Sequence, residues 1–206
     1  MRNILLTILC TFAVAAAAQE MGTQAIRNYR QVDERHATGG QPTEEQLKAA
    51  AAEGYGTIIN LATIDPRYSL KDEGASAAAL GMKYHHIPVP WDQPSDADFA
   101  AFEKAMQSAG EDKTLVHCAA NYRATAFYAL YAMKHLGWSR TRAEEFRASV
   151  WRGSDFPVWE EFVQRTQSAI AECAVTIATQ SAPSSEPSRS CELSPCAGSS
   201  GTCGSW

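Results

Sequence analysis

A cysteine and an arginine lie close together where an apolar run meets a helix-forming segment. The run at residues 114–117 leads into Cys118, and Arg123 follows shortly before residues typical of a helix. A position near a helix N-terminus, below backbone N–H groups, favours a nucleophilic thiolate and also binds an oxyanion. A guanidinium supplies a planar pair of donors suited to phosphate. The sequence therefore predicts an anion-binding loop with Cys118 as nucleophile and Arg123 as an anion ligand.

The residues between these two are expected to form the substrate-binding loop: Ala119, Ala120, Asn121 and Tyr122. The alanines are small enough for the backbone to close around a ligand. Asn121 tolerates a left-handed backbone conformation better than most residues, and Tyr122 is expected either at the pocket mouth or packed on the surface. The competing interpretation is that Cys118 is a buried core thiol and that Arg123 pairs with a surface acid.

Alternating strand and helix patterns predict how this loop is held. Apolar runs predict strands at residues 57–61, 84–89 and 113–117. Helices are predicted from the capping box at Thr43, then at residues 73–80, 95–108 and 124–136, from a second capping box at Thr141, and from an N-cap at Asp155 to about Cys173. This order predicts an α/β domain with a central, mostly parallel sheet flanked by helices.

Both ends of the chain differ in composition from the middle. Residues 1–18 have a positive start, an apolar run and small residues before Gln19, which is typical of a signal peptide, with an uncleaved N-terminal anchor as the alternative. Residues 174–206 are rich in Ser, Pro and Gly and predict a disordered tail. The catalytic domain is therefore placed at residues 22–173, in a periplasmic or secreted protein.

The composition narrows the possible partners. The formal net charge is -5 and no basic face is evident, so nucleic acid is not an expected partner. The five histidines are scattered, and the four cysteines near the C-terminus lack zinc-site spacing, so neither a metal nor another cofactor is predicted. In an oxidising compartment those cysteines have three possible pairings: Cys173, Cys191, Cys196 and Cys203. The protein is expected to be a monomer.

The order of several motifs resembles a known family. The motifs are Gly40-Gln41-Pro42, residues 57–61, 87–90 and 116–118, and Gly137-Trp138-Ser139. Over about residues 38–165 they are similar to the cysteine-dependent tyrosine and dual-specificity phosphatases, in particular the small bacterial members. The resemblance implies that Cys118 attacks phosphorus to form a phosphocysteine, while Arg123 and the loop amides hold the equatorial oxygens.

The resemblance also implies roles for residues around the loop. Asp92, in the segment Trp91-Asp92-Gln93-Pro94, matches the position of the family's general acid, with Asp96 and Asp98 as competitors. His117 is implied to hydrogen-bond the loop backbone and support the thiolate, or else is a half-buried residue at a strand end. Thr125 either hydrogen-bonds the leaving sulfur or is an ordinary helix threonine.

The loop departs from the phosphatase signature in its length. The signature has five residues between cysteine and arginine, whereas this chain has four and lacks the usual glycine. A loop of this size is similar to that of rhodanese-like sulfurtransferases, which carry a persulfide on cysteine. Three hypotheses follow: a phosphatase acting on phosphorylated proteins or small phosphate esters, a sulfurtransferase using a Cys118 persulfide, and a non-catalytic phosphate-binding module.

Overall fold

The structure, a computed structural model, describes residues 22–180 and contains a five-stranded sheet. The strands are β1 Arg30–Gln31, β2 His36–Gly39, β3 Tyr55–Asn60, β4 Lys83–His86 and β5 Lys113–His117. The helices are α1 Glu44–Ala52, α2 Glu73–Ala79, α3 Asp96–Ala109, α4 Tyr122–His135, α5 Arg140–Ala148 and α6 Pro157–Gln180, with short 3-10 helices at Thr23–Ala25 and Gly153–Asp155. The signal peptide predicted at residues 1–18 and the cysteines beyond residue 180 lie outside the described residues.

The sheet is mostly parallel, which confirms the predicted α/β class. Its strand order is β1-β2-β5-β3-β4, and only β1 pairs antiparallel to its neighbour. Gly39 of β2 and Asn60 of β3 are both in register with His117 of β5. The loops that follow these three strands therefore leave from one edge of the sheet, and Cys118 is in the central loop.

The two faces of β5 contact different helical layers, because successive strand residues point to opposite sides. Leu115 packs in a core with α1 and α2, whereas Val116 packs in a second core with α3, α4 and α6. Cys118 belongs to the second core. His117, two residues after Leu115, faces the α2 layer.

Of the four helix starts that were predicted from a capping residue, two are confirmed and two are wrong. Thr43 and Ser95 each form a capping box. The N-cap of α5 is Ser139, whose hydroxyl accepts from the amide of Arg142, so Thr141 lies inside the helix. The last helix begins at Pro157 and not after Asp155, because the Phe156 carbonyl accepts the first amides. Helix α5 starts earlier than predicted because the Ser139 hydroxyl caps it. Helix α6 starts later because Pro157 occupies its first position, where a missing N–H costs little.

Other boundaries also differ from the predictions. Strands β1 and β2 were not predicted, because their short runs lack a clear alternation. Strand β4 ends at His86, before Pro88 and Pro90, which have no N–H to donate. Helix α6 continues to Gln180, so the expected tail boundary at residue 174 falls within it. Within residues 22–180, no helix is long and apolar enough to cross a membrane.

Candidate active site

Cys118 lies immediately after the last residue of β5 and is almost fully buried. Its side chain is 1% exposed, and its amide donates to the carbonyl of Gly39 at 3.2 Å. It is the free cysteine among the described residues, whereas Cys173 of α6 is disulfide-bonded. The thiol is thus held by the strand backbone at the edge of the sheet where the neighbouring loops converge.

The loop after Cys118 is held by the backbone of two neighbouring segments. The Ala119 carbonyl accepts from the Gln41 amide at 3.3 Å, and the Ala120 carbonyl accepts from the Asn28 side chain at 3.0 Å. Gly40 pairs with Ala120 in an isolated bridge, and a Cβ at Gly40 would lie 3.1 Å from the Ala119 carbonyl. A side chain at Gly40 would therefore need the Ala119 carbonyl, and the Arg27 carbonyl at 3.0 Å, to move by a few tenths of an ångström, so glycine favours this close approach.

Asn121 provides the turn that joins the loop to α4. It is fully buried and left-handed, with φ of 70°. Its side-chain amide donates to the Asn28 carbonyl at 2.6 Å and to the Thr38 hydroxyl at 3.0 Å. This agrees with the expectation that Asn121 accepts a conformation usually given to glycine, and it adds two anchors that glycine lacks.

Two substitutions of Asn121 separate the contribution of its left-handed backbone conformation from that of its side-chain hydrogen bonds. We expect Asn121→Gly to lower the free energy of unfolding by about 1–2 kcal/mol through lost hydrogen bonds. Asn121→Ala should cost about 1 kcal/mol more, because alanine is strained in the left-handed region. Urea unfolding of both variants measures the difference. Equal stability of the two variants would contradict a conformational role for this position.

Arg123 follows in the first turn of α4 and is also buried. Its side chain is 6% exposed, and its guanidinium lies 5.1 Å from the centre of the Trp91 ring. Its Nε atom has no hydrogen-bond partner among the described residues. The first amides of a helix have no intrahelical acceptor, so the start of α4 has free N–H donors in the same turn as Arg123.

Asp92 is exposed in the turn after β4, next to the tryptophan that stacks on Arg123. Within residues 22–180 its carboxylate makes no hydrogen bond or ion pair. The two competing acids are engaged elsewhere: Asp98 completes the capping box of Ser95, and Asp96 lies 3.1 Å from Arg165. Asp92 is therefore the one of the three whose carboxylate has no partner among the described residues.

An aromatic cluster surrounds the Arg123 end of the loop. Tyr122, predicted either at the pocket mouth or packed on the surface, lies 6.1 Å from Trp91 between ring centres. The cluster is completed by Trp151, Phe156 and Trp159. Trp159 also donates its indole N–H to the Trp91 carbonyl at 2.7 Å, which fixes the segment that carries Asp92.

Thr125 is held within α4. Its hydroxyl donates to the Asn121 carbonyl at 2.8 Å and accepts from the Trp151 indole at 3.1 Å. The hydroxyl therefore connects the aromatic cluster to the loop backbone. Trp151 was not singled out by the sequence, since a tryptophan after a helix carries no signal of such a contact.

Sequence reasoning also missed a buried carboxylate behind the loop. Glu73, the first residue of α2, is 6% exposed, and its Oε1 lies 2.7 Å from Nε2 of fully buried His117. Its Oε2 accepts from the side-chain amides of Gln41 at 2.9 Å and Asn60 at 3.0 Å. Burial raises the pKa of Glu73, but His117 and the Gln41 donor outweigh it and leave the pKa below its usual value. From the sequence, Glu73 could be recognised only as an acidic residue in the first turn of a predicted helix.

Metal ligands were not expected at this site. Over the described range 22–180, no group of three His, Cys, Asp or Glu side chains is arranged to hold a metal ion. Metal-independent catalysis remains a prediction, to be tested with a chelator.

The fold and the cysteine loop define a phosphatase-like domain, and sequence comparison supports this class. The chain belongs to the family described as "Beta-lactamase hydrolase-like protein, phosphatase-like domain", whose model matches residues 28–134. A putative phosphatase (DUF442) from Shewanella putrefaciens is 31% identical, with a TM-score of 0.65 over 70% of this chain and 94% of that one. The crystal structure of Pseudomonas aeruginosa TpbA, 19% identical with a TM-score of 0.56 over 70% of this chain and 91% of that one, shows the same fold.

The curated relatives are considerably longer than the matched region. The beta-lactamase hydrolase-like protein of Xylella fastidiosa is 36% identical over 102 residues, which are 48% of this chain and 23% of that protein. That of Agrobacterium fabrum is 28% identical over 142 residues, which are 68% of this chain and 32% of that protein. The matched region thus spans only about a quarter to a third of the length of these curated relatives.

Proposed function

We propose that the protein hydrolyses phosphate monoesters through a phosphocysteine on Cys118. The observation that carries the proposal is the joining of a buried free cysteine and a buried, stacked arginine by one loop at the N-terminus of α4. This arrangement combines a nucleophile with the donors that a transferring phosphoryl group requires.

The reaction proceeds in two displacements. The Cys118 thiolate attacks phosphorus, a bond from sulfur to phosphorus forms, and the bond to the leaving oxygen breaks. Asp92 gives that oxygen its proton. Water then attacks the phosphocysteine, the ionised Asp92 removes a proton from the water, and phosphate leaves with the thiolate restored. Arg123 and the loop amides hold the nonbridging oxygens in both steps, and no redox change occurs.

The proposed substrates are phosphorylated proteins or small phosphate esters. The half-buried rings of Trp91 and Tyr122 near Arg123 favour an aryl group in the leaving position. TpbA, which shares this fold, has been crystallised in complex with phosphotyrosine. We further propose a periplasmic or secreted location from the signal-like residues 1–18.

A second candidate is sulfur transfer through a Cys118 persulfide. The observation that favours it is the spacing of four residues between Cys118 and Arg123, which makes a smaller loop than the phosphatase signature. This reaction needs no general acid, so the Asp92 segment would have no catalytic task in it.

One experiment separates the two reactions. The reduced protein, expressed from Gln19 onward, is assayed for phosphate release from p-nitrophenyl phosphate with a chelator present, and for sulfur transfer from thiosulfate to cyanide. We expect phosphate release that the chelator does not affect. Sulfur transfer without phosphate release would replace the first proposal with the second. Binding of phosphate without either reaction would leave a binding module.

A further inference from the structure

We propose that the loop joining β3 to α2 recognises a large apolar side chain beside the phosphorylated residue of a protein substrate. Ile64 and Tyr68 are the loop residues that make this contact. The inference rests on the proposed function and deepens it, because it names the kind of substrate that reaches Cys118. That substrate is a phosphorylated protein segment rather than a small phosphate ester.

The loop begins beside the candidate nucleophile. The amide of Leu61 donates to the carbonyl of His117 at 2.8 Å, one residue before Cys118. Leu61 and Ala62 are buried in the same core as Cys118. Ile64 follows two residues later, so its Cα atom lies within about 7 Å of that of Ala62. Ile64 therefore lies at the edge of the sheet from which the cysteine loop also leaves.

Large apolar side chains are exposed on this loop. Ile64 is 76% exposed and Tyr68 is 36% exposed. Two other large hydrophobic side chains are exposed within residues 22–180, Leu136 at 44% and Val158 at 39%, and they lie apart at the end of α4 and the start of α6. Single exposed apolar residues are ordinary on a protein surface, whereas apolar surface gathered in one place indicates a binding contact.

Hydrogen bonds within the loop hold its shape. The Asp65 carbonyl accepts from the amides of Tyr68 at 3.1 Å and Ser69 at 2.8 Å, and the Asp65 amide donates to the Ser69 hydroxyl at 2.9 Å. The Asp65 carboxylate accepts from the Arg67 guanidinium at 3.0 Å, and hydrogen bonds from Arg67 lower the pKa of Asp65 to about 2. A loop that is already held in one shape loses little conformational entropy on binding.

The pairing of charges within residues 64–68 sets the chemistry of the partner. Asp65 and Arg67 form an ion pair with each other, so Ile64 and Tyr68 offer apolar contact without a free charge between them. A small ester ends at its leaving group, whereas an extended peptide continues by about 3.3 Å per residue on both sides of the phosphorylated residue. A neighbouring residue of a peptide can therefore reach the loop, and a large apolar one buries surface there.

The test compares two phosphotyrosine peptides that differ only in the residues flanking the phosphotyrosine, which are leucine in one and serine in the other. We expect the wild-type protein to prefer the leucine peptide about tenfold in kcat/KM, because partial burial of an apolar side chain contributes about that factor. Ile64→Ser and Tyr68→Ser should each reduce this preference, through KM and not through kcat, because the contact is the same in the ground state and the transition state. Equal kcat/KM for the two peptides in the wild type, or an unchanged preference in both variants, would overturn the proposal.

Leu136→Ser is the matched control for these variants. It replaces another exposed apolar side chain, at the opposite end of the 14-residue helix α4 and hence about 20 Å from the cysteine loop. The preference for leucine and the hydrolysis of p-nitrophenyl phosphate should both stay at the wild-type level. If Leu136→Ser weakened the preference as much as Ile64→Ser does, the loop would not be its source and the proposal would fail.

A binding measurement separates this inference from the proposed function. Each peptide is titrated calorimetrically into the Cys118→Ser protein, in which the phosphorylated residue is not turned over. Tighter binding of the leucine peptide, together with no hydrolysis by the wild type, would support the recognition loop and remove the phosphatase proposal. Hydrolysis of both peptides without any difference in affinity would support the phosphatase proposal and overturn the recognition loop.

Discussion

Cys118→Ser is expected to abolish phosphate release while leaving the anion-binding loop intact. A serine hydroxyl is not ionised at neutral pH, whereas the thiolate is a strong nucleophile, so the first displacement is lost. The loss should be at least about a thousandfold in kcat, as found when a covalent nucleophile is removed. The loss is measured by comparing kcat for p-nitrophenyl phosphate hydrolysis between the wild-type protein and the Cys118→Ser variant.

The variant also tests whether the loop binds anions independently of the sulfur. The Arg123 guanidinium and the free amides at the start of α4 do not depend on Cys118. Calorimetric titration with inorganic phosphate should therefore give similar affinities for the two proteins. Retained hydrolysis by a folded Cys118→Ser protein would show that another group is the nucleophile and would remove the central premise of the phosphatase proposal.

Asp92→Asn is expected to have an effect that depends on the leaving group. A general acid contributes about 10²–10⁴-fold when the leaving oxygen is basic. An alkyl phosphate should therefore lose activity by about that factor. With p-nitrophenyl phosphate the leaving phenolate needs little protonation, so the first step should continue while the second, which needs the Asp92 base, becomes slow. The measurable result is a burst of p-nitrophenol close to one per protein, followed by slow turnover.

Two neighbouring acids provide matched controls for this prediction. Asp96→Asn removes a surface ion pair with Arg165, and Asp98→Asn retains an acceptor for the capping box of Ser95. Both should change turnover by less than about threefold, since exposed ion pairs contribute little. If either control, and not Asp92→Asn, produced the burst, the assignment of the acid would move to that residue.

The fold was predictable where local patterns and tertiary packing agree. The capping boxes at Thr43 and Ser95 begin helices because their hydroxyls satisfy free amides whatever surrounds them. Thr141 has the same local pattern, yet Ser139 caps the helix two residues earlier. Strand β2 was missed because its four residues are all buried, so it has no alternation to detect.

The residues of the candidate site were also predictable only where they lie close together in sequence. Cys118, Arg123 and Asn121 belong to one continuous loop, so their spacing alone indicated a shared task. Glu73 is distant in sequence, and an acid in the first turn of a helix is usually explained by the helix dipole. Its burial against His117 arises from the pairing of β3 with β5 and the packing of α2, which no local pattern contains.

The central place of β5 in the sheet has a consequence for how this domain tolerates change. The strand is bordered by β2 and β3, so the backbone that leads into Cys118 is paired on both sides. A mutation that loosens either neighbouring strand is therefore expected to displace Cys118 and to lower the proposed activity, even though it touches no substrate.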